Sequence, residues 1–280
     1  MRLFNKRITG YVNLRFHRKS VHKPFAVEAS LRELRKLGVD HVVITGDVSN
    51  LALEREFDLV RTVLDRELGM SPDQVSMVPG NHDTYTRGSF RTQRFARTFA
   101  ACMTSDLPIS DEPFPYVRLR GPVAIIGLST AVPRLPLVAA GEFGHRQLEA
   151  LARVLQHPEV RSRTPVILQH HPWHNPPERM RRFMEGLYDA DEQAALLQHI
   201  ERGLLLHGHL HRRVHRTLRT NAGHIDAVGA TSASLLHERE DRMAGFNLYE
   251  IDDSGAIRDI SSHRYDVERG VFVSVPIPQQ

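Results

Sequence analysis

Four short apolar runs in this chain each end directly in a group of polar residues. The runs cover residues 42–45, 75–78, 166–169 and 204–206, and each has the length and composition of a buried strand. The groups that follow them read GDVSN (46–50), PGNHD (79–83), HHP (170–172) and HGHLH (207–211). In an open α/β sheet, ligands bind beyond the carboxyl ends of the strands. We therefore expect these four groups to converge on one site.

The remaining pattern predicts an α/β architecture. Helical spacing of apolar residues predicts helices over residues 25–37, 53–68, 90–103, 145–156 and 190–202. Further strands are predicted over residues 116–119 and 123–128, and residues 222–275 are predicted to be mostly strands. Alternating strands and helices followed by a run of strands indicate a sheet that is largely covered by helices.

The residue types in the four groups favour a metal site. Carboxylate, amide and imidazole ligands together suit divalent Mn, Fe, Co, Ni or Zn. Because Cys102 is the single cysteine, a structural zinc knuckle is not expected. In an extended HGHLH segment, His209 and His211 would point to the same face and both could reach one site.

Four motifs, GDVSN, GNHD, QHHP and GHLH, resemble in order the later motifs of the calcineurin-like metallophosphoesterase superfamily. The resemblance runs from about residue 24 to 265. The sequence around the motifs is most similar to the bacterial branch that resembles class III cyclic-nucleotide phosphodiesterases. It implies a layered α/β/β/α sandwich and a two-metal centre that hydrolyses phosphoesters.

The resemblance also implies a role for each residue of the site. Asp47 would bridge two metals, and His211 would bind the first of them. The second metal would be completed by Asn81, His170 and His209. His82 would protonate the leaving oxygen, and Asp83 would orient His82. His171, His174 and His207 are expected to lie behind the ligands or in loops.

One motif of the family has no counterpart in this sequence. The family opens with a strand that ends in Asp-x-His, and no Asp precedes Asp40 here. We therefore expect the sandwich to lack its first strand and the chain to bind one metal, Mn, Fe or Zn, at the second site. Either the chain begins late or it is a degenerate member, and the intact later motifs favour a late start.

Charge divides the chain into a basic segment, residues 1–23, and a single predicted domain, residues 24–280. The segment holds seven Lys and Arg and no acid, and the whole chain has a formal net charge of +4. This segment is either a solvated arm or a surface that contacts a membrane or a nucleic acid. The N-terminus carries no secretory signal pattern, and one cysteine fits a reducing compartment, so a cytoplasmic location is expected.

These observations predict a hydrolase that attacks a phosphodiester with metal-activated water. The substrate is expected to be a phosphorylated small molecule or another phosphodiester. The alternative is a catalytically silent module that binds metal, phosphate or nucleotide. Three arginines, Arg179, Arg181 and Arg182, follow the QHHP loop. They either contact the substrate or are exposed to solvent, and the sequence favours neither alternative. Substrate identity, substrate-binding residues and oligomeric state are left open.

Overall fold

The structure, a computed structural model, describes residues 22–280. The basic segment predicted over residues 1–23 therefore lies outside the described residues, except for His22 and Lys23. The helices are α1 (Pro24–Leu37), α2 (Glu54–Val63), α3 (Arg87–Arg91), α4 (Arg94–Thr98), α5 (His145–Gln156), α6 (Pro158–Arg161), α7 (Arg179–Glu185) and α8 (Ala190–Leu196). The strands are β1 (Val42–Ile44), β2 (Val75–Met77), β3 (Tyr116–Arg120), β4 (Val123–Gly127), β5 (Thr164–Leu168), β6 (Arg202–His207), β7 (Val214–Arg219), β8 (His224–Gly229), β9 (Gly245–Ile251), β10 (Ile257–Asp266) and β11 (Val271–Val275).

The strands form three sheets. The largest has six strands in the order β3-β4-β5-β6-β8-β7, and its four central strands run parallel. Strands β9, β10 and β11 form an antiparallel sheet, and β1 pairs with β2 in a parallel two-stranded sheet. Within residues 22–280, β2 is the one strand paired with β1.

Two apolar cores lie on opposite faces of the six-stranded sheet. One face of β6, with Leu204 and Leu206, packs against β1, β2, β9, β10 and the helices α1, α2 and α4. The opposite face, with Leu205, packs against α5 and α8. Burying one such leucine stabilises the fold by about 1.5–3 kcal/mol relative to leaving it exposed. The layers are therefore helix, sheet, sheet and helix, which confirms the predicted α/β sandwich.

Two predicted helices differ from the observed ones. The helix expected over residues 90–103 is broken into α3, α4 and a 3₁₀ turn, because Gln93 adopts a left-handed backbone with φ of 47°. The helix expected over residues 190–202 ends at Leu196, and Arg202 already belongs to β6. Among the helices of residues 22–280, none is both long enough and apolar enough to cross a membrane.

Candidate metal centre

The loops after β1 and β2 pass so close together that two glycines are required. A Cβ on Gly80 would lie 2.1 Å from Oδ1 of Asp47, and a Cβ on Gly46 would lie 2.4 Å from the Gly80 nitrogen. Gly46 and Asp47 both have positive φ, 93° and 56°. A left-handed backbone costs a non-glycine residue roughly 1–2 kcal/mol, so the fold holds Asp47 in a strained position. The His82 amide donates to Oδ1 of Asp47 at 2.9 Å and fixes the carboxylate.

Three ligand-type side chains meet where β1, β2 and β5 end. Nε2 of His170 lies 3.1 Å from Oδ1 of Asn81 and 3.4 Å from Oδ2 of Asp47. Nδ1 of His170 lies 2.7 Å from the carbonyl oxygen of Thr45. Because a carbonyl can only accept, Nδ1 carries the hydrogen, and a neutral His170 directs the Nε2 lone pair at two oxygens. Such a convergence of acceptors requires a cation, either a proton or a metal.

Electrostatics within this group agrees with that requirement. Burial lowers the pKa of His170, but the adjacent Asp47 carboxylate outweighs burial, so the net shift is upward. Burial likewise raises the pKa of Asp47, and the nearby His170 and His82 hold it well below its usual value. Asp47 and His170 each stabilise the charged form of the other, so the group is electrostatically suited to a cation.

His209 lies beside this group in a conformation that the sequence did not predict. Its ring centroid is 5.2 Å from that of His170, and its Nε2 donates to the Glu185 carbonyl at 3.0 Å. Nδ1 of His209 is thus the nitrogen with a lone pair. The expectation of an extended HGHLH segment is wrong, because His209 and His211 both have positive φ, 62° and 48°. The segment is a turn, in which the Leu210 amide donates to the Gly208 carbonyl.

His211 follows this turn and lies beside His22; we call its surroundings the outer side of the centre. Its ring centroid lies 6.0 Å from that of His22, with the rings perpendicular. His22 in turn bonds through Nδ1 to the Ser234 hydroxyl at 2.7 Å. The sequence carried no signal for this neighbour of His211. Across residues 22–280, no group of three or more His, Cys, Asp or Glu side chains is arranged to hold a metal ion.

His82 is held at the rim of the site by the loop after β1. Its Nδ1 donates to the Asn50 carbonyl at 3.0 Å, and its ring stacks on Tyr85. The carboxylate of Glu56 fixes that loop by accepting from the amides of Asn50 and Leu51, each at 3.1 Å. Because a carbonyl can only accept, Nδ1 of His82 carries a hydrogen that is committed to Asn50.

The structure gives Asp83 a different role from the one that the resemblance implies. Its carboxylate accepts from the Gly80 amide at 2.9 Å, and from the amide and hydroxyl of Ser49 at 2.9 and 2.8 Å. The hydrogen bonds of Asp83 within residues 22–280 thus go to the two loops and not to the His82 ring. Burial, followed by the charge of Asp47, raises the pKa of Asp83 to about 7.

Of the three additional histidines, His171 lies beside the ligand group, with its ring centroid 4.2 Å from that of His209. His171 is held by the Thr130 hydroxyl at 2.8 Å and the Ala139 carbonyl at 2.7 Å. The rings of His174 and His207 lie 5.8 Å apart. Burial lowers the pKa of His171 and of His174 to about 3, and that of His207 to about 4, so all three are neutral at pH 7. A cavity of about 640 Å³, lined among others by Pro122 and Arg161, opens at the other end of the sheet, away from this site.

Comparison with known proteins identifies the family. The family model for calcineurin-like phosphoesterases matches residues 21–213, which include all the site residues described above. The chain belongs to the calcineurin-like phosphoesterase family. This membership supports a metal-dependent phosphoester hydrolase in general terms. No curated protein matches the chain in sequence.

Two solved structures resemble this phosphoesterase. A dimetal phosphatase from Danio rerio matches with a TM-score of 0.54 and 15% identity, covering 90% of this chain and 88% of the other. At that identity the likeness shows the fold alone. The sulfate thiohydrolase SoxB of Thermus thermophilus, in complex with glycerol, matches with a TM-score of 0.47 and 17% identity, over 85% of this chain and 41% of the other.

Proposed function

We propose that this phosphoesterase hydrolyses a phosphodiester at a centre that holds one divalent metal. The ligands would be Asp47, Asn81, His170 and His209. The observation that carries the proposal is the approach of His170 Nε2 to the side-chain oxygens of Asn81 and Asp47, at 3.1 and 3.4 Å. Mixed oxygen and imidazole donors favour Mn, Fe or Zn.

Each side chain has a part in the reaction that follows from its contacts. The Asp47 carboxylate would supply the negative charge of the ligand set, while neutral imidazole and amide leave the centre net positive toward an anionic ester. Thr45 fixes the tautomer of His170, so that Nε2 faces the metal position. A bound divalent metal would supply Lewis acidity to the phosphoryl group and to the attacking water.

His82 would protonate the leaving oxygen. Because its Nδ1 is committed to the Asn50 carbonyl, the transferable proton must sit on Nε2. Asp83 would act indirectly, by joining the two loops that position Asp47 and His82. His211 would bind a first metal only if a further ligand completes that site. We also propose that residues 24–280 form one domain, and that the protein is cytoplasmic.

Hydrolysis of bis(p-nitrophenyl) phosphate with added Mn²⁺ tests this function. We expect turnover by the full chain, at least about 1,000-fold less turnover in Asp47→Ala, and unchanged turnover in His145→Ala. His145 is a matched control because its side chain is 86% exposed on α5. Full activity in Asp47→Ala would refute the ligand assignment. Faster hydrolysis of p-nitrophenyl phosphate than of the diester would refute the substrate class.

A second candidate is a silent module that binds metal or phosphate without turnover. It is favoured by one observation, that no Asp-x-His motif in the given sequence supplies further ligands beside His211. It predicts Mn²⁺ binding in a calorimetric titration together with no release of nitrophenol from either ester. Measurable turnover that depends on Asp47 would exclude it.

A further inference from the structure

The most exposed apolar side chains of residues 22–280 are gathered on two segments. Among the large hydrophobic residues, Leu137, Met180 and Leu135 have the highest exposed fractions, 82%, 71% and 70%. Phe183, at 52%, lies one helical turn from Met180 on α7. We call Leu135, Leu137, Met180 and Phe183 the apolar rim. Exposed apolar side chains that cluster in this way mark a binding surface more often than single ones do.

The two segments of the rim form one continuous surface. The Ala139 amide donates to the Met184 carbonyl at 2.7 Å, and the Gly141 amide donates to the Gly186 carbonyl at 2.9 Å. The Arg134 guanidinium also lies over the ring of Tyr188, 4.3 Å from its centroid. The turn with Leu135 and Leu137 and the helix with Met180 and Phe183 are therefore joined side by side.

This surface borders the candidate metal centre directly. The Ala139 carbonyl contacts Nε2 of His171 at 2.7 Å, and the Glu185 carbonyl contacts Nε2 of His209 at 3.0 Å. Each rim segment thus contributes a backbone oxygen that holds a histidine of the site. A surface that binds to the apolar rim would therefore lie next to the proposed phosphoester-binding position.

Arginines stand between the apolar side chains of the rim. On α7, Arg179 makes no ion pair within the described chain, while Arg181 pairs with Glu185 and Arg182 lies 3.6 Å from Asp191. The side chains of Arg181 and Arg182 remain 61% and 47% exposed. Long arginine stems beside Met and Phe are typical of helices that lie at a lipid interface, where guanidinium groups reach the phosphates.

We propose that the apolar rim inserts into the surface of a lipid bilayer and sets the candidate centre against phosphoesters at that surface. Leu137 supports insertion, because it lies at a turn and has the highest exposed fraction of the rim, 82%. A second copy of the chain is a poorer occupant. Four side chains separated by arginines offer only a fraction of the roughly 800 Å² per partner that a stable dimer buries.

Vesicle co-sedimentation tests the proposal without metal and without turnover, so its outcome is separate from that of the proposed hydrolysis. The full chain is mixed with vesicles of phosphatidylcholine and phosphatidylglycerol, beside the double variant Leu137→Asn and Phe183→Gln. We expect the double variant to partition about tenfold less onto the vesicles. Leu59→Gln, which removes a 63% exposed leucine on α2, should bind like the unaltered protein.

All of these proteins keep residues 1–21, so any contribution of the basic segment is equal in each. Equal sedimentation of the double variant and the unaltered protein would overturn the proposal, as would failure of the unaltered protein to sediment with vesicles. Light scattering on the same proteins tests the other occupant. A dimer that the double variant converts to a monomer would assign the rim to a second copy of the chain.

Discussion

The two sides of the candidate centre are built differently. On the inner side, Asp47, Asn81 and His170 lie in the loops after three strands, and Nε2 of His170 contacts side-chain oxygens of Asn81 and Asp47 at 3.1 and 3.4 Å. On the outer side, His211 lies in a turn and has His22, two residues before α1, as its ring neighbour at 6.0 Å. Hydrogen bonds from the neighbouring loops orient His170 and Asp47 on the inner side, whereas the backbone of His211 has a positive φ of 48°.

This difference indicates where metal affinity resides. A ligand that is already oriented by neighbouring hydrogen bonds loses little conformational freedom when the metal binds. Thr45 orients His170, and the His82 amide orients Asp47. We therefore assign the binding energy mainly to the inner side, and we expect the outer side to contribute little in this chain.

The largest expected effect compares one ligand from each side. Replacing His170 with Ala should weaken Mn²⁺ binding about 100-fold, or about 2.8 kcal/mol, because the inner group loses its nitrogen donor. Replacing His211 with Ala should weaken it less than about threefold. Calorimetric titration of both variants measures the ratio. Equal losses in the two variants would mean that the outer side is a full partner in binding the metal.

A smaller effect is expected from the residue that joins the loops. The carboxylate of Asp83 accepts three hydrogen bonds of 2.8–2.9 Å. In Asp83→Asn, the side-chain NH₂ group would face one of these donors, and that hydrogen bond would be lost. The free energy of unfolding should therefore fall by about 1–3 kcal/mol. Urea denaturation in EDTA measures this change without any contribution from metal. Asp253→Asn, at an exposed position, is the control. Unchanged stability of Asp83→Asn would show that the loops do not depend on this carboxylate.

Much of the fold was predictable because apolar periodicity reflects burial. The helix His145–Gln156 has the predicted bounds, and each ligand group lies at the end of a strand, as parallel strands require. The breaks at Gln93 and in the HGHLH turn were not predictable, because left-handed backbone at non-glycine residues is imposed by tertiary contacts. The backbone carbonyls of Thr45, Asn50 and Glu185 orient histidines, and a carbonyl leaves no trace in the sequence.

The most direct test of the account is the number of metals that the full chain retains. The protein is loaded with Mn²⁺, passed through gel filtration and analysed for metal by mass spectrometry, in parallel with Asp47→Ala. We expect one Mn²⁺ per chain and none in Asp47→Ala. Two Mn²⁺ per chain, or one that persists in Asp47→Ala, would contradict a single metal held by Asp47, Asn81, His170 and His209.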